Sequence, residues 1–178
     1  LIELKGIKEM VEGLVDWSKK NPNTSIELII AGDGVEKIHF QKLNPIATIT
    51  YKLLGHVDYQ ELQKWYQEVD LYLFPSLQDE WGVVVNESFS SGIPVIGSIY
   101  SQAVLELVHE NETGWQYDPL KHGALSEVLT KALDTDTNRL QKMSAKCLET
   151  IAEVNPQKVG ANIHKAILFA TQSTTPVK

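Results

Sequence analysis

Two carboxylates, Asp79 and Glu87, stand in the stretch of this chain best suited to chemistry, residues 70–97. Glu87 follows Asp79 by eight positions, a little over two turns if the segment is helical. Between them run Trp81, Gly82, Val83 and Val84. A helix starting near Trp81 aims unpaired backbone N–H groups and its positive dipole end at the preceding turn. An anion would sit there, at the carboxyl edge of a strand, and Gly82 would let backbone approach it closely. Glu87 falls in an apolar helix sequence, where a buried carboxylate needs a partner, and a ligand hydroxyl would serve. The competing reading makes both residues solvated surface carboxylates, the common fate of such side chains. On residue type alone both readings stand.

The elements that must position these groups read as strand, turn, helix, strand. Leu71 to Phe74 is an apolar run ended by Pro75-Ser76, and Ile93 to Ile96 is a second one behind Gly92. Val83-Val84-Val85 suits a strand on propensity. Adjacent parallel strands need a crossover, however, and only this segment can supply it. Upstream, the expectation is a strand tail over 1–4, a helix over 8–20, a strand over 26–31, a short helix to Leu43 and a strand over 47–54. Asp58 then caps a helix over 59–69. Downstream come helices over 103–108, 122–133, 138–154 and up to about Thr171, with a short strand over 114–117. Alternating strands and helices predict an α/β fold, a doubly wound Rossmann-like parallel sheet over residues 1–171, with a loose tail over 172–178.

The chain of 178 residues suffices for one such domain. Sixteen lysines and arginines against 23 acidic residues give a net charge of −7 without a basic stripe, which argues against nucleic acid. Cys147, the single cysteine, excludes an internal disulfide and reads as a small packing residue. No apolar run reaches the ~20 residues of a membrane span. The five histidines show no ligand spacing, so no metal is expected. Gly32-Asp33-Gly34 lacks the third glycine of a dinucleotide fingerprint and reads as a tight turn. The start at Leu1-Ile-Glu-Leu, without Met, suggests a piece of a longer chain.

The run Pro75-Ser76, Asp79-x-Trp81-Gly82, Asn86-Glu87-Ser88 and Gly92-x-Pro94-Val95-Ile96 resembles the signature of retaining glycosyltransferases of family 4, which have the GT-B fold. Lys5-Gly6, Ala31-Gly32-Asp33-Gly34, Gly55-His56-Val57, Tyr66, Glu106-Leu107-Val108 and Gly114-Trp115 extend the resemblance over nearly all of residues 1–155. The resemblance implies one half of a GT-B enzyme, the half that binds a nucleotide-diphosphate sugar such as a UDP- or GDP-sugar. A separate N-terminal domain would bind a glycan or lipid-linked acceptor, so this piece alone would transfer nothing. Glu87 matches the glutamate that accepts from ribose hydroxyls, and Asp79 the acidic position facing the donor sugar. The amides of Val83 and Val84 would hold the diphosphate beside Gly82 and Trp81. Lys5 would neutralise the leaving group, and Val57 lies where backbone meets the base. No metal or other cofactor is required.

The implied reaction retains the anomeric configuration, and the implied setting is cytoplasmic polysaccharide or lipid-glycan assembly, with the full-length protein peripheral at the inner membrane face. Asp79 is one methylene shorter than the usual glutamate, Gln102-Ala103 replaces a common Gly-Gly, and Leu105 replaces a proline. The arginine that usually partners the lysine would precede Leu1. A GT-B sugar-nucleotide epimerase and a receiver-like or ligand-sensing domain are the alternatives.

Overall fold

Side-chain alternation along three short strands shows how the molecule is layered. The computed structural model describes residues 1–172. Strands β1 (Ile26–Ala31) and β2 (Ile49–Gly55) pair in parallel, and β3 (Tyr72–Phe74), β4 (Val95–Ser98) and β5 (Gly114–Tyr117) form a second parallel ladder in that order. On β4, Ile96 points into one apolar cluster and Val95 into another. On β3, Leu73 joins the first cluster, and Tyr72 and Phe74 the second. Neighbouring residues of a strand face opposite sides, so this ladder is covered on both faces, as parallel sheets require.

Helices α1 (Ile7–Lys20) and α5 (Ala124–Leu133) cover one face. Met10, Val11, Leu14 and Trp17 of α1 follow helical spacing and bury against Leu125, Val128 and Leu129 of α5. The other face carries α3 (Val83–Ser90), α4 (Gln102–Leu107) and α6 (Thr137–Ala152), which bury Val85, Phe89, Val104 and Cys147. Burial pushes the Cys147 thiol up to about 12, which fits its reading as a packing residue. The remaining helices are α2 (Tyr59–Tyr66) and α7 (Pro156–Gln172). No helix among the described residues is long and apolar enough to cross a membrane.

The β1 boundaries match expectation. The Asp58 carboxylate caps α2, accepting from the Glu61 amide at 2.8 Å. Several expectations need correction. The expected sheet is two ladders, joined through the side chains of a shared core and not by backbone pairing. Residues 1–4 form no strand: Glu3–Lys5 is a 3-10 turn, because the Leu4 carbonyl accepts from Leu77 N (2.8 Å) and Ser76 Oγ (3.0 Å). Val35–Leu43 is also 3-10. Helix α2 stops at Tyr66, and α5 starts only after Gly123, whose φ is 79°. β4 begins at Val95 because Ile93 N still bonds back to Ser88 O (3.0 Å). Helix α7 runs through Gln172, the first residue of the expected tail; residues 173–178 lie outside the described residues.

Candidate functional site

The valine-rich segment after β3 is helical because its first residue is preceded by a glycine that turns the chain. Gly82 has φ 97° and buries its backbone; a Cβ there would lie 2.6 Å from Ser101 Oγ and 3.1 Å from Phe74 Cε1. The loop before it is pinned to the end of β4: Asp79 N donates to Tyr100 O (3.1 Å), and Trp81 O accepts from Ala103 N (2.8 Å) and Ser101 Oγ (2.5 Å). Ser101, and Ala103 of the Gln102-Ala103 departure, thus fix the turn from which α3 springs. No side chain caps α3, and among the described residues nothing accepts from the amides of Val83 and Val84. Two donors and the dipole end of the helix are therefore available to an anion. The Val83 side chain is 63% exposed, while Val84 packs against the second core cluster.

Lys5 and Asp79, 74 residues apart, form an ion pair at 2.9 Å. The 3-10 turn that carries Lys5 is held on Ser76 and Leu77, and Gly6 enters α1 with φ 64° where a Cβ would overlap the Pro75 carbonyl. Glu87 lies one turn into α3, half-buried, with its Oε2 3.4 Å from the Tyr66 hydroxyl at the end of α2. The Tyr72 hydroxyl is held above the ordinary phenol range, first by burial, then by the negative charges of Glu87 and Asp79. Both carboxylates thus bear on one tyrosine, Tyr72, the first residue of β3. Tyr66 is raised in the same direction by burial and by its neighbours Tyr72 and Glu87.

The structure thus brings Lys5, Asp79, Gly82, Val83 and Val84 to the carboxyl side of β3, with Glu87 one turn further along α3 beside Tyr66. Trp81 is placed differently: its ring packs against the second core cluster and its Nε1 donates to Asn86 Oδ1 (3.0 Å). Val57 is half-buried in the loop that leaves β2. The contact between Tyr66 and Glu87 was not legible in the sequence, where only the apolar helix around Glu87 hinted at burial of that carboxylate. Two surface depressions lie elsewhere, one of about 580 Å3 beside Asn111, Arg139 and Lys142, and one of about 390 Å3 beside Glu61 and Trp65. Neither is lined by Asp79 or Glu87.

Comparison with known proteins gives this edge a context. A family model described as glycosyl transferases group 1 matches residues 1–149. A GDP-mannose-dependent alpha-mannosyltransferase of Corynebacterium glutamicum is 28% identical over 132 residues, 73% of this chain and 30% of that protein. An uncharacterized glycosyltransferase of Methanocaldococcus jannaschii is 26% identical over 115 residues, 64% of this chain and 29% of that protein. The chain spans less than a third of the length of these relatives. Among solved structures, the C-terminal domain of a glycosyl transferase group 1 family protein from Francisella tularensis has a TM-score of 0.67 at 21% identity, covering 85% of this chain and 80% of that one. Sucrose-phosphate synthase from Thermosynechococcus elongatus has a TM-score of 0.72 at 21% identity, covering 96% of this chain and 44% of that one. These likenesses establish the fold: one Rossmann-like half of a GT-B architecture.

Proposed function

The chain belongs to the group 1 glycosyl transferases, and we propose that it is the donor-binding half of a retaining enzyme of family 4 that uses a nucleotide-diphosphate sugar. The observation that carries this reading is the opening of α3. Two unclaimed amides, at Val83 and Val84, stand one helical turn from the Glu87 carboxylate. Four residues of rise separate Val83 from Glu87 by ~6 Å along the axis. That is comparable to the reach from a diphosphate to the ribose hydroxyls of the same nucleotide. In this reading the amides hold the diphosphate oxygens, and Glu87 accepts from the ribose.

Lys5 has a part in departure of the nucleoside diphosphate. Its ammonium pairs with Asp79, and a diphosphate arriving at the helix opening offers it a second anionic partner. Charge developing on the leaving group is met by Lys5 and by the helix dipole, both already in position, which is stabilisation by preorganised groups. Asp79 then faces the sugar. The acceptor attacks from the face that the leaving group vacates, so configuration is retained, and no divalent metal is needed. The family match offers no support to the epimerase or receiver-like readings.

Support also comes from relatives that act on nucleotide sugars, such as the GDP-mannose-dependent mannosyltransferase above. We place the full-length enzyme in the cytoplasm, in assembly of polysaccharide or lipid-linked glycan through a separate acceptor domain. Calorimetric titration of the folded chain with UDP, GDP and several of their sugars tests the donor half. Weak binding of at least one, without transfer, is expected. A folded sample that binds none of them would contradict the reading.

A further inference from the structure

The carboxylate assigned to the ribose has a single side-chain partner, and that partner is neutral. Among the described residues no lysine, arginine or histidine forms an ion pair with Glu87; the Tyr66 hydroxyl alone reaches it, on Oε2. We propose that Tyr66 is a positioning residue for Glu87, binding Oε2 so that Oε1 stays free to accept from the two vicinal hydroxyls of a ribose. The proposal rests on the donor-binding reading above and names the group that makes its carboxylate selective for ribose.

Three features support it. Tyr66 is the last residue of α2 and only 8% exposed, so its ring is fixed. Its ring meets Tyr72 at 6.0 Å between centroids, and Tyr72 meets Phe74 at 6.4 Å, an aromatic row that ties the end of α2 to β3. A phenol can orient a carboxylate without neutralising it, whereas a lysine would compete with the ligand for its charge. Burial and nearby negative charge keep this phenol protonated, hence a donor, throughout the physiological range. The 3.4 Å separation is long for O–H···O, a looseness common in catalytic and binding sites before the ligand arrives.

The test compares UDP and GDP with their 2′,3′-dideoxy counterparts. The unaltered chain should prefer the ribose form. Tyr66→Phe should reduce that preference by about 3- to 10-fold while the dideoxy affinity holds. Equal losses for both forms would mark Tyr66 as merely structural, and an unchanged preference would also overturn the proposal. If Tyr66→Phe does not fold, 3-fluorotyrosine placed at position 66 strengthens the donor and should raise the preference; no change would refute it. Absence of binding by the unaltered chain, or equal binding of both forms, would sink the donor reading itself and this proposal with it. A ribose preference in the unaltered chain that Tyr66→Phe leaves intact would sink the proposal alone.

Discussion

Replacing Gly82 by alanine probes the feature that makes α3 a helix with an open start. Gly82 has φ 97°, a conformation that costs an L-residue ~1–2 kcal/mol. The new Cβ would also sit 2.6 Å from Ser101 Oγ and 3.1 Å from Phe74 Cε1. Crowding of that kind costs ~1–3 kcal/mol in a packed region. Together the loss is ~2–5 kcal/mol, a fall in Tm of ~4–20 °C for a chain of this size. Gly123→Ala separates the two parts, because Gly123 has φ 79° but nothing within 4 Å of its Cβ. Gly82→Ala should therefore lower Tm more than Gly123→Ala does. Relief of the clash would rotate the amides of Val83 and Val84, so the advantage of UDP over UMP should shrink, read by calorimetry below the Tm of the variant. A folded Gly82→Ala chain with the UDP-to-UMP affinity ratio of its parent would refute the idea that these amides hold the second phosphate.

Glu87→Ala removes the carboxylate expected to accept from ribose and should weaken nucleoside diphosphate binding by ~1–3 kcal/mol, measured by calorimetry; unchanged affinity would take Glu87 out of the site. Lys5→Ala should lower UDP affinity and flatten its dependence on salt, yet cost at most ~1 kcal/mol of stability, because the Lys5–Asp79 pair is partly exposed, at 45% and 21%. Alkaline titration reads the phenols. Tyr66, Tyr72 and Tyr117 are raised above the ordinary value of 10.0, each chiefly by burial. The folded state thus holds these protons more tightly than the unfolded state, so their contribution to stability is intact below about pH 10 and falls as pH rises above it. Absorbance at 295 nm should show these three ionising only as the chain unfolds; their ionisation in a folded sample would contradict the burial.

Local signals carried much of the fold. Asp58 before Tyr59 announced a capped helix, and the cap forms. The helix at Val83-Val84-Val85 ran against β propensity and was legible only through topology, since two parallel strands flank it. What stayed hidden depends on contacts between distant segments. Residues 1–4 look like a strand by composition, but Ser76 and Leu77 claim the Leu4 carbonyl and draw the chain into a 3-10 turn. The division into two ladders reflects pairing that no periodicity records. At the site, Asp79, Glu87 and Gly82 could be singled out by type and spacing. The Lys5–Asp79 pair spans 74 positions, and the Tyr66–Glu87 contact depends on how α2 docks against β3. The Trp81 indole N–H bond to Asn86 is a local contact that the family resemblance does not encode.

The central claim is that the start of α3 grips a diphosphate. Amide-resolved NMR of the labelled chain, titrated with UDP and GDP, reads this directly. The account predicts that the largest shifts fall on the amides of Gly82, Val83 and Val84, with smaller ones at Glu87 and Lys5. Shifts centred instead on the polar depression beside Asn111 and Arg139, with the α3 amides unmoved, would contradict it.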